Sequence, residues 1–351
     1  MTDDRFLLKN MLTRETVGDL ASCVNGAWGE FDTARFMSNV FDDTWDGLEL
    51  KQRTRHITVA LAQNLPAGYR DALGILLDAA DRFRDPGWEA MCLSDFVEVY
   101  GLDDPDASIP ALAAFTKLAS AEFAVRPFIM EYPDRMYAQL LAWTTDGDWR
   151  VRRLASEGCR PRLPWGMALK PLQADPTPIL PVLEALRHDE SDDIRRSVAN
   201  NLNDMAKDHP RLVVGVLAEW QDGEPETEAL TKHALRTLLK RGDTASLRLM
   251  GFDPNADASV SDVRIDPSAP AVGGDGRVSF TLRSREPEPT RFMVDLAVLF
   301  LKSNGSLSPK VFKLKTVALE PGEKIEISRK ITFQQLSTRR VYPGTHAVEV
   351  Q

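Results

Sequence analysis

One phrase occurs twice in this chain, and its spacing limits what the chain can fold into. Asp146-Gly-Asp-Trp-Arg-Val151-Arg-Arg is followed by Asp189-Glu-Ser-Asp-Asp-Ile194-Arg-Arg. Asp146 aligns with Asp189, Val151 with Ile194, and Arg152/Arg153 with Arg195/Arg196, all at an offset of 43 residues. A repeat of roughly 40–47 residues is long enough for two helices and short turns, the unit of an α-helical solenoid. Such units bury their apolar faces against neighbouring copies rather than within themselves.

Helical periodicity surrounds the repeat. Apolar residues recur at three- and four-residue steps over Thr33 to Phe41, Leu48 to Leu65, Tyr69 to Phe83 and Phe96 to Leu102. The Asp103–Pro110 stretch reads as a helix-breaking connector. Helices are then expected over Ala111–Ala124, Tyr132–Thr144, Trp149–Gly158, Ile179–Leu186, Asp192–Lys207, Pro210–Trp220 and Glu226–Lys240. Beyond Gly251-Phe-Asp-Pro the period changes to two, with Val278, Phe280 and Leu282 alternating with polar neighbours and Asn304-Gly305 marking a two-residue hairpin turn. About seven short strands in such a length suggest an immunoglobulin-like sandwich, without the Cys…Trp…Cys core of antibody domains. The expected architecture is mainly α: a HEAT-like solenoid over residues 1–250, then an all-β sandwich over 258–351.

Charge is uneven. Residues 1–104 hold 19 acidic and 10 basic side chains, residues 105–251 hold 21 and 19, and residues 252–351 hold 12 and 14. The net charge of −9 therefore belongs mostly to the N-terminal third, and a basic face on the later repeats is compatible with it. Three separated cysteines and five scattered histidines form neither a disulfide framework nor a metal knuckle, so no metal and no cofactor are expected. No run reaches the roughly 18 apolar residues of a membrane span. The start, Met1-Thr-Asp-Asp-Arg5, lacks the basic and apolar regions of a signal peptide, so a cytoplasmic protein is expected. The chain stops inside the strand-like His346–Gln351, which implies a few residues beyond it.

The chemistry-bearing residues cluster on the repeat helices. Arg196, Asn200 and Asp204 fall at i, i+4 and i+8 on one helical face, and Arg153 and Glu157 make the same step. Such a pair is ordinarily a surface salt bridge of little consequence. Two features raise these acids above that. Glu157 leads into Gly158-Cys-Arg-Pro-Arg-Leu-Pro-Trp165-Gly, a rigid basic loop that a plain solenoid turn does not need. Asp204 ends a helix with three asparagines, where helix propensity is sacrificed. Glu122-Phe123 adds a further acid beside an aromatic ring. Each of Arg152, Arg153, Arg195 and Arg196 can hold a phosphate or bridge an inter-repeat loop, and the sequence leaves that choice even. Carboxylates, aromatic rings and arginines on a concave face suit hydrolysis of a glycosidic bond, with the acids stabilising an oxocarbenium-like sugar and orienting water. A non-catalytic scaffold that binds DNA or protein is the main alternative. A glycosidase acting on free nucleosides or sugars, which would need an enclosed pocket, is the other.

The two motifs, Leu154–Gly166 and Asp192–Asp204, resemble those of the bacterial AlkC alkylpurine DNA glycosylases, of the HEAT-like-repeat superfamily that includes AlkD. The resemblance covers the whole chain, since some members carry an immunoglobulin-like domain after the repeats. It implies a monomeric enzyme that removes 3-methyladenine and 3-methylcytosine from duplex DNA without flipping the base, leaves an abasic site, and works at the bacterial nucleoid. It implies Glu122, Glu157 and Asp204 as catalytic carboxylates, with Asp204 positioning water. Trp165 would contact the sugar or base, Phe123 would fill the opened stack, and Arg152, Arg153, Arg195 and Arg196 would contact phosphates. Lys310, Lys313, Lys315, Arg339 and Arg340 would offer a second grip, the alternative being an ordinary solvated strand face.

Overall fold

The computed structural model describes residues 7–336 and 339–351. The acidic start, Met1-Thr-Asp-Asp-Arg5, lies outside the described residues. The chain divides into two compact units: residues up to Val213 with Trp220–Ala234, and Val214–Glu219 with Leu235–Gln351.

Among the described residues, sixteen α-helices precede the strands. They are α1 (Arg14–Ala27), α2 (Thr33–Val40), α3 (Leu50–Asn64), α4 (Tyr69–Ala80), α5 (Met91–Tyr100), α6 (Pro105–Phe115), α7 (Val125–Glu131) and α8 (Pro133–Trp143). Then follow α9 (Trp149–Gly158), α10 (Lys170–Ala174), α11 (Leu180–Leu186), α12 (Asp192–Met205), α13 (Pro210–Glu219), α14 (Pro225–Ala234), α15 (Arg236–Leu239) and α16 (Thr244–Leu249). Helix α9 packs on α8, α11 and α12, and α12 packs in turn on α14. Val151, Leu154 and Ala155 form the buried face of α9, and Ile194, Val198 and Leu202 that of α12. Burial of a leucine such as Leu154 contributes about 1.5–3 kcal/mol.

The repeated phrase builds the same turn twice. Asp146 Oδ1 accepts from Asp148 N at 2.8 Å, and Asp189 Oδ1 accepts from Ser191 N at 2.9 Å. Each side chain mimics a backbone turn and sets the start of the following helix. The arginine six residues on closes the loop. Arg152 Nη1 donates to the carbonyls of Asp146 and Gly147, and Arg195 Nη1 donates to those of Asp189 and Glu190.

The structure differs from the periodicity in two places near these repeats. Asp103–Pro110 is not a connector: Asp104 caps α6 by accepting from Ala107 N at 3.4 Å, and Pro105 takes the first helical position. There its missing N–H costs nothing, since the first turn has no intrahelical partner for it. Pro110 lies inside the helix, with one internal hydrogen bond forgone. The helix expected over Ala111–Ala124 ends at Phe115, because Thr116 Oγ1 captures Ala121 N–H at 3.3 Å and diverts the chain into turns. Glu122 and Phe123 consequently stand on a turn leading into α7 rather than on a helix face.

Among the described residues of the second unit, six strands form two antiparallel three-stranded sheets. They are β1 (Ala258–Asp266), β2 (Asp275–Ser284), β3 (Thr290–Leu301), β4 (Leu307–Leu319), β5 (Lys324–Thr332) and β6 (Ala347–Val350), in the orders β1-β2-β5 and β4-β3-β6. The seam is lined by Phe280, Leu282, Phe292, Val294, Val317, Leu319 and Ile327, and continues through Val278, Leu296, Val298, Phe300 and Ile331. Among the described residues, five long strands and the short β6 stand where about seven short ones are expected. Most of β3 is buried on both faces and so gives no clean alternation, and the described residues between β5 and β6 pair as strands only through the Leu336–Arg339 bridge. The β3–β4 hairpin closes through Lys302 N to Ser306 O, with Gly305 alone in the left-handed region at φ 80°. This is a three-residue turn with glycine at its last position rather than the two-residue turn that Asn-Gly suggested.

Candidate active site

The turn before α7, the C-terminal half of α9 and the loop after it converge on one cavity of about 540 Å³. Glu122, Phe123, Arg153, Glu157, Arg160 and Trp165 all line it, against an apolar wall that includes Trp88, Met91 and Leu118. Close packing of α7 on α9 makes this possible. A Cβ added at Gly158 would stand 2.6 Å from Val125 Cγ1, so only glycine lets the two helices approach there.

The two cavity acids are held differently. Glu122 Oε2 accepts from Ser120 Oγ at 2.9 Å and from Arg153 Nη1 at 3.2 Å. Glu157, 5% exposed, accepts from Arg160 Nη1 at 2.6 Å on Oε1 and from Ser197 Oγ at 2.5 Å on Oε2. Arg153 Nη2 stands 3.9 Å from the same carboxylate. Ser197 belongs to α12, so the acid of one repeat is oriented by the helix of the next.

Asp204 is not on the cavity wall. It is 2% exposed, and its Oδ2 accepts from Arg160 Nε at 3.0 Å, with Nη2 at 2.9 Å, while Lys207 Nζ donates to Oδ1 at 3.0 Å. Sequence reading passed over Arg160, the group that ties Asp204 to Glu157. Burial disfavours its charge, yet Glu157 and Asp204 beside it hold the guanidinium pKa above its ordinary value. Its one sequence signal is its place three residues after Glu157. Arg126, fully buried, carries no local sequence signal at all. Its Nε donates to Met167 O at 2.6 Å and its Nη1 to Gly158 O at 2.9 Å, and burial lowers its pKa to about 10.

Arg126 thereby pins the loop that presents Trp165. That residue is 67% exposed and takes φ 62°, a left-handed backbone that costs a bulky side chain on the order of 1–3 kcal/mol. Lys51 Nζ donates to the Trp165 carbonyl at 3.1 Å and lies 4.3 Å from the centre of the Phe123 ring. The Trp165 ring is thus exposed on a strained backbone at a cavity that carries both carboxylates and cations. Cys159 is inert by contrast: burial pushes its thiol up to about 12.

The paired arginines separate by role. Arg152 forms a two-pronged ion pair with Asp189, at 2.7 and 3.2 Å, in addition to its loop contacts. Arg195 pairs with Asp192 as well as closing its loop. Arg153 turns into the cavity. Arg196 is exposed and borders a second groove, with His233 and Glu226, between α12 and α14. Of the basic residues expected on the sandwich, Lys310 lies over the Phe312 ring and Arg340 over Tyr342. Arg339 is half-buried against the Phe300 ring and donates to Thr332 O. Among the described residues no group of three or more His, Cys, Asp or Glu side chains could hold a metal ion, and no helix is long and apolar enough to cross a membrane.

Residues 259–351 match a family described as "Uncharacterised protein YhaZ, C-terminal Ig-like domain". The uncharacterized protein YhaZ of Bacillus subtilis (strain 168) is 40% identical over 344 residues, which are 98% of this chain and 95% of YhaZ. Among solved structures, the chain is similar to the alkylpurine DNA glycosylase AlkC of Pseudomonas fluorescens bound to DNA containing an abasic site analogue. That likeness has a TM-score of 0.94 at 37% identity and covers 98% of this chain and 96% of that one. With both the helical repeats and the immunoglobulin-like domain shared at such identities over nearly its full length, the chain belongs to the AlkC family.

Proposed function

We propose that this protein is a DNA glycosylase that hydrolyses the N-glycosidic bond of cationic alkylated bases, 3-methyladenine and 3-methylcytosine, in duplex DNA without flipping the base. The observation that carries this reading is the joint placement of Glu122, Glu157, Trp165 and Phe123 on one cavity in a chain so similar to AlkC. A base carrying a formal positive charge leaves with the electron pair of the C1′–N bond and becomes neutral, so no general acid is required. Charge then develops on the sugar, where carboxylates are stabilising. Water adds at C1′ and gives up a proton to a carboxylate, leaving an abasic site.

In this reading Glu157 and Glu122 face the sugar, Asp204 completes the anionic field and orders water, and Trp165 packs on the deoxyribose or base. Phe123 enters the gap in the base stack. Arg196 is the best placed of the four arginines to hold a phosphate, because it is exposed, whereas Arg152 and Arg195 have guanidiniums engaged in their own loops. The protein acts as a cytoplasmic monomer, and the sandwich supplies a second grip on DNA through Lys310, Lys313, Lys315 and Arg340.

Release of free methylated bases from duplex DNA treated with a methylating agent tests this directly. Wild-type protein should release 3-methyladenine, and Glu157→Gln and Asp204→Asn should lose most of that release while still binding DNA. A folded wild-type protein that releases nothing would leave a DNA-binding scaffold as the better account.

A further inference from the structure

Arg160 has no part in the roles described above, yet it is the group on which both inner acids converge. One edge of its guanidinium, Nη1, holds Glu157 at 2.6 Å. The other, Nε with Nη2, holds Asp204 at 3.0 and 2.9 Å. Glu157 lies on α9 and Asp204 on α12, so a single planar fork spans two successive repeats. Arg160 lines the cavity and Asp204 does not.

A purely structural purpose explains this poorly. Burying ions costs several kcal/mol each, and packed apolar groups of similar volume would often serve stability as well or better. The geometry also demands arginine in particular. Its rigid plane offers separate donors along two edges, whereas a lysine ammonium is one point charge on a flexible stem. Two carboxylates brought together without such a fork would repel each other and swing apart.

We propose that Arg160 is a positioning residue for glycosidic hydrolysis, holding Glu157 at the cavity wall and Asp204 behind it in one fixed mutual arrangement. The inference rests on the glycosylase reading, and it acts wholly through those two acids. Removing the fork should therefore lower the rate of bond cleavage and leave DNA affinity intact. A misplacement of about 1 Å in a reacting group costs roughly 10²-fold in rate.

The test is single-turnover release of methylated base from methylating-agent-treated duplex DNA, with affinity measured separately on a duplex bearing a tetrahydrofuran abasic site. Arg160→Met and Arg160→Lys are compared with wild type, alone and in an Asp204→Asn background. Both single variants should lose roughly 10²-fold in cleavage rate, with affinity for the abasic duplex within about twofold of wild type. Arg160→Met should cost little further in the Asp204→Asn background, because residues that act as a unit are non-additive. If Arg160→Met does not fold, Arg160→Lys decides, since it keeps the charge and loses the fork. Wild-type cleavage by Arg160→Lys, losses that simply add to those of Asp204→Asn, or an equal loss of affinity would each overturn the proposal. An inactive but folded wild-type protein would instead count against the glycosylase reading itself.

Discussion

Ser197 on α12 donates a 2.5 Å hydrogen bond to Glu157 on α9, and its Oγ lies 3.0 Å from Ser156 Oγ. The acid of one repeat is thus fixed by the hydroxyl of the next, forty residues away. Replacing Ser197 by alanine leaves a buried carboxylate oxygen short of a donor, at a cost of about 1–3 kcal/mol. Thermal or urea unfolding of Ser197→Ala should show that loss, and base release should fall with it.

Trp165 makes the opposite expectation. Its ring is exposed and its backbone is strained, so Trp165→Gly should keep or slightly raise stability, by up to about 1 kcal/mol. The same change should abolish much of the base release, because nothing remains at the cavity rim to pack on the sugar. Unfolding curves and release assays on one protein preparation would separate the two effects.

The arginine pairs should divide in the same way. Arg152→Ala breaks a two-pronged pair with Asp189 and opens the inter-repeat loop, and should cost about 1–3 kcal/mol of stability. Arg196→Ala, at an exposed position, should change stability by no more than about 0.5 kcal/mol. It should weaken DNA binding and reduce the salt dependence of affinity by about one phosphate contact.

Asp295 in β3 offers a pH test within the sandwich. Burial raises its carboxyl pKa above the usual value, although Lys313 pulls the other way. A folded-state pKa above the unfolded one contributes stability below the unfolded value and loses it as pH rises through the folded value. Asp295→Asn should therefore raise the melting temperature at pH 7, with the gain vanishing below about pH 3.8. Melting curves at both pH values check the sign.

The thiols give a simple check of packing. Cys92 and Cys159 are fully buried, and burial raises both thiol pKa values. Only Cys23 is partly exposed. A disulfide reagent at pH 8 should label at most Cys23 rapidly in the native protein, and all three cysteines after denaturation.

Helices such as Trp149–Gly158 were legible in sequence because their apolar residues keep a strict helical period from cap to end. The start of α6 was not, since prolines read as breaks unless the aspartate cap before them is given its due. The asparagines of α12 were correctly read as a departure from helix preference, and Asn201 shows the reason. Its side chain donates to Ser156 O at 2.9 Å across the repeat boundary. The link from Arg160 to Asp204 and that from Arg126 to the loop after α9 are not legible in the sequence, because Asp204 is 44 residues from Arg160 and Met167 is 41 from Arg126. No local pattern marks an arginine whose acceptors arrive only when helices pack.

The equivalence of Arg152 and Arg195 has a consequence for how such a chain can change. In both repeats the first arginine of the pair is occupied in closing its own loop, without reference to any ligand. The residue immediately after it is left unconstrained by that duty, and it faces a different environment in each copy: a cavity for Arg153, an open groove for Arg196. Copying the unit therefore copies its loop closure as well, and leaves the next position to be suited separately to the surroundings of each copy.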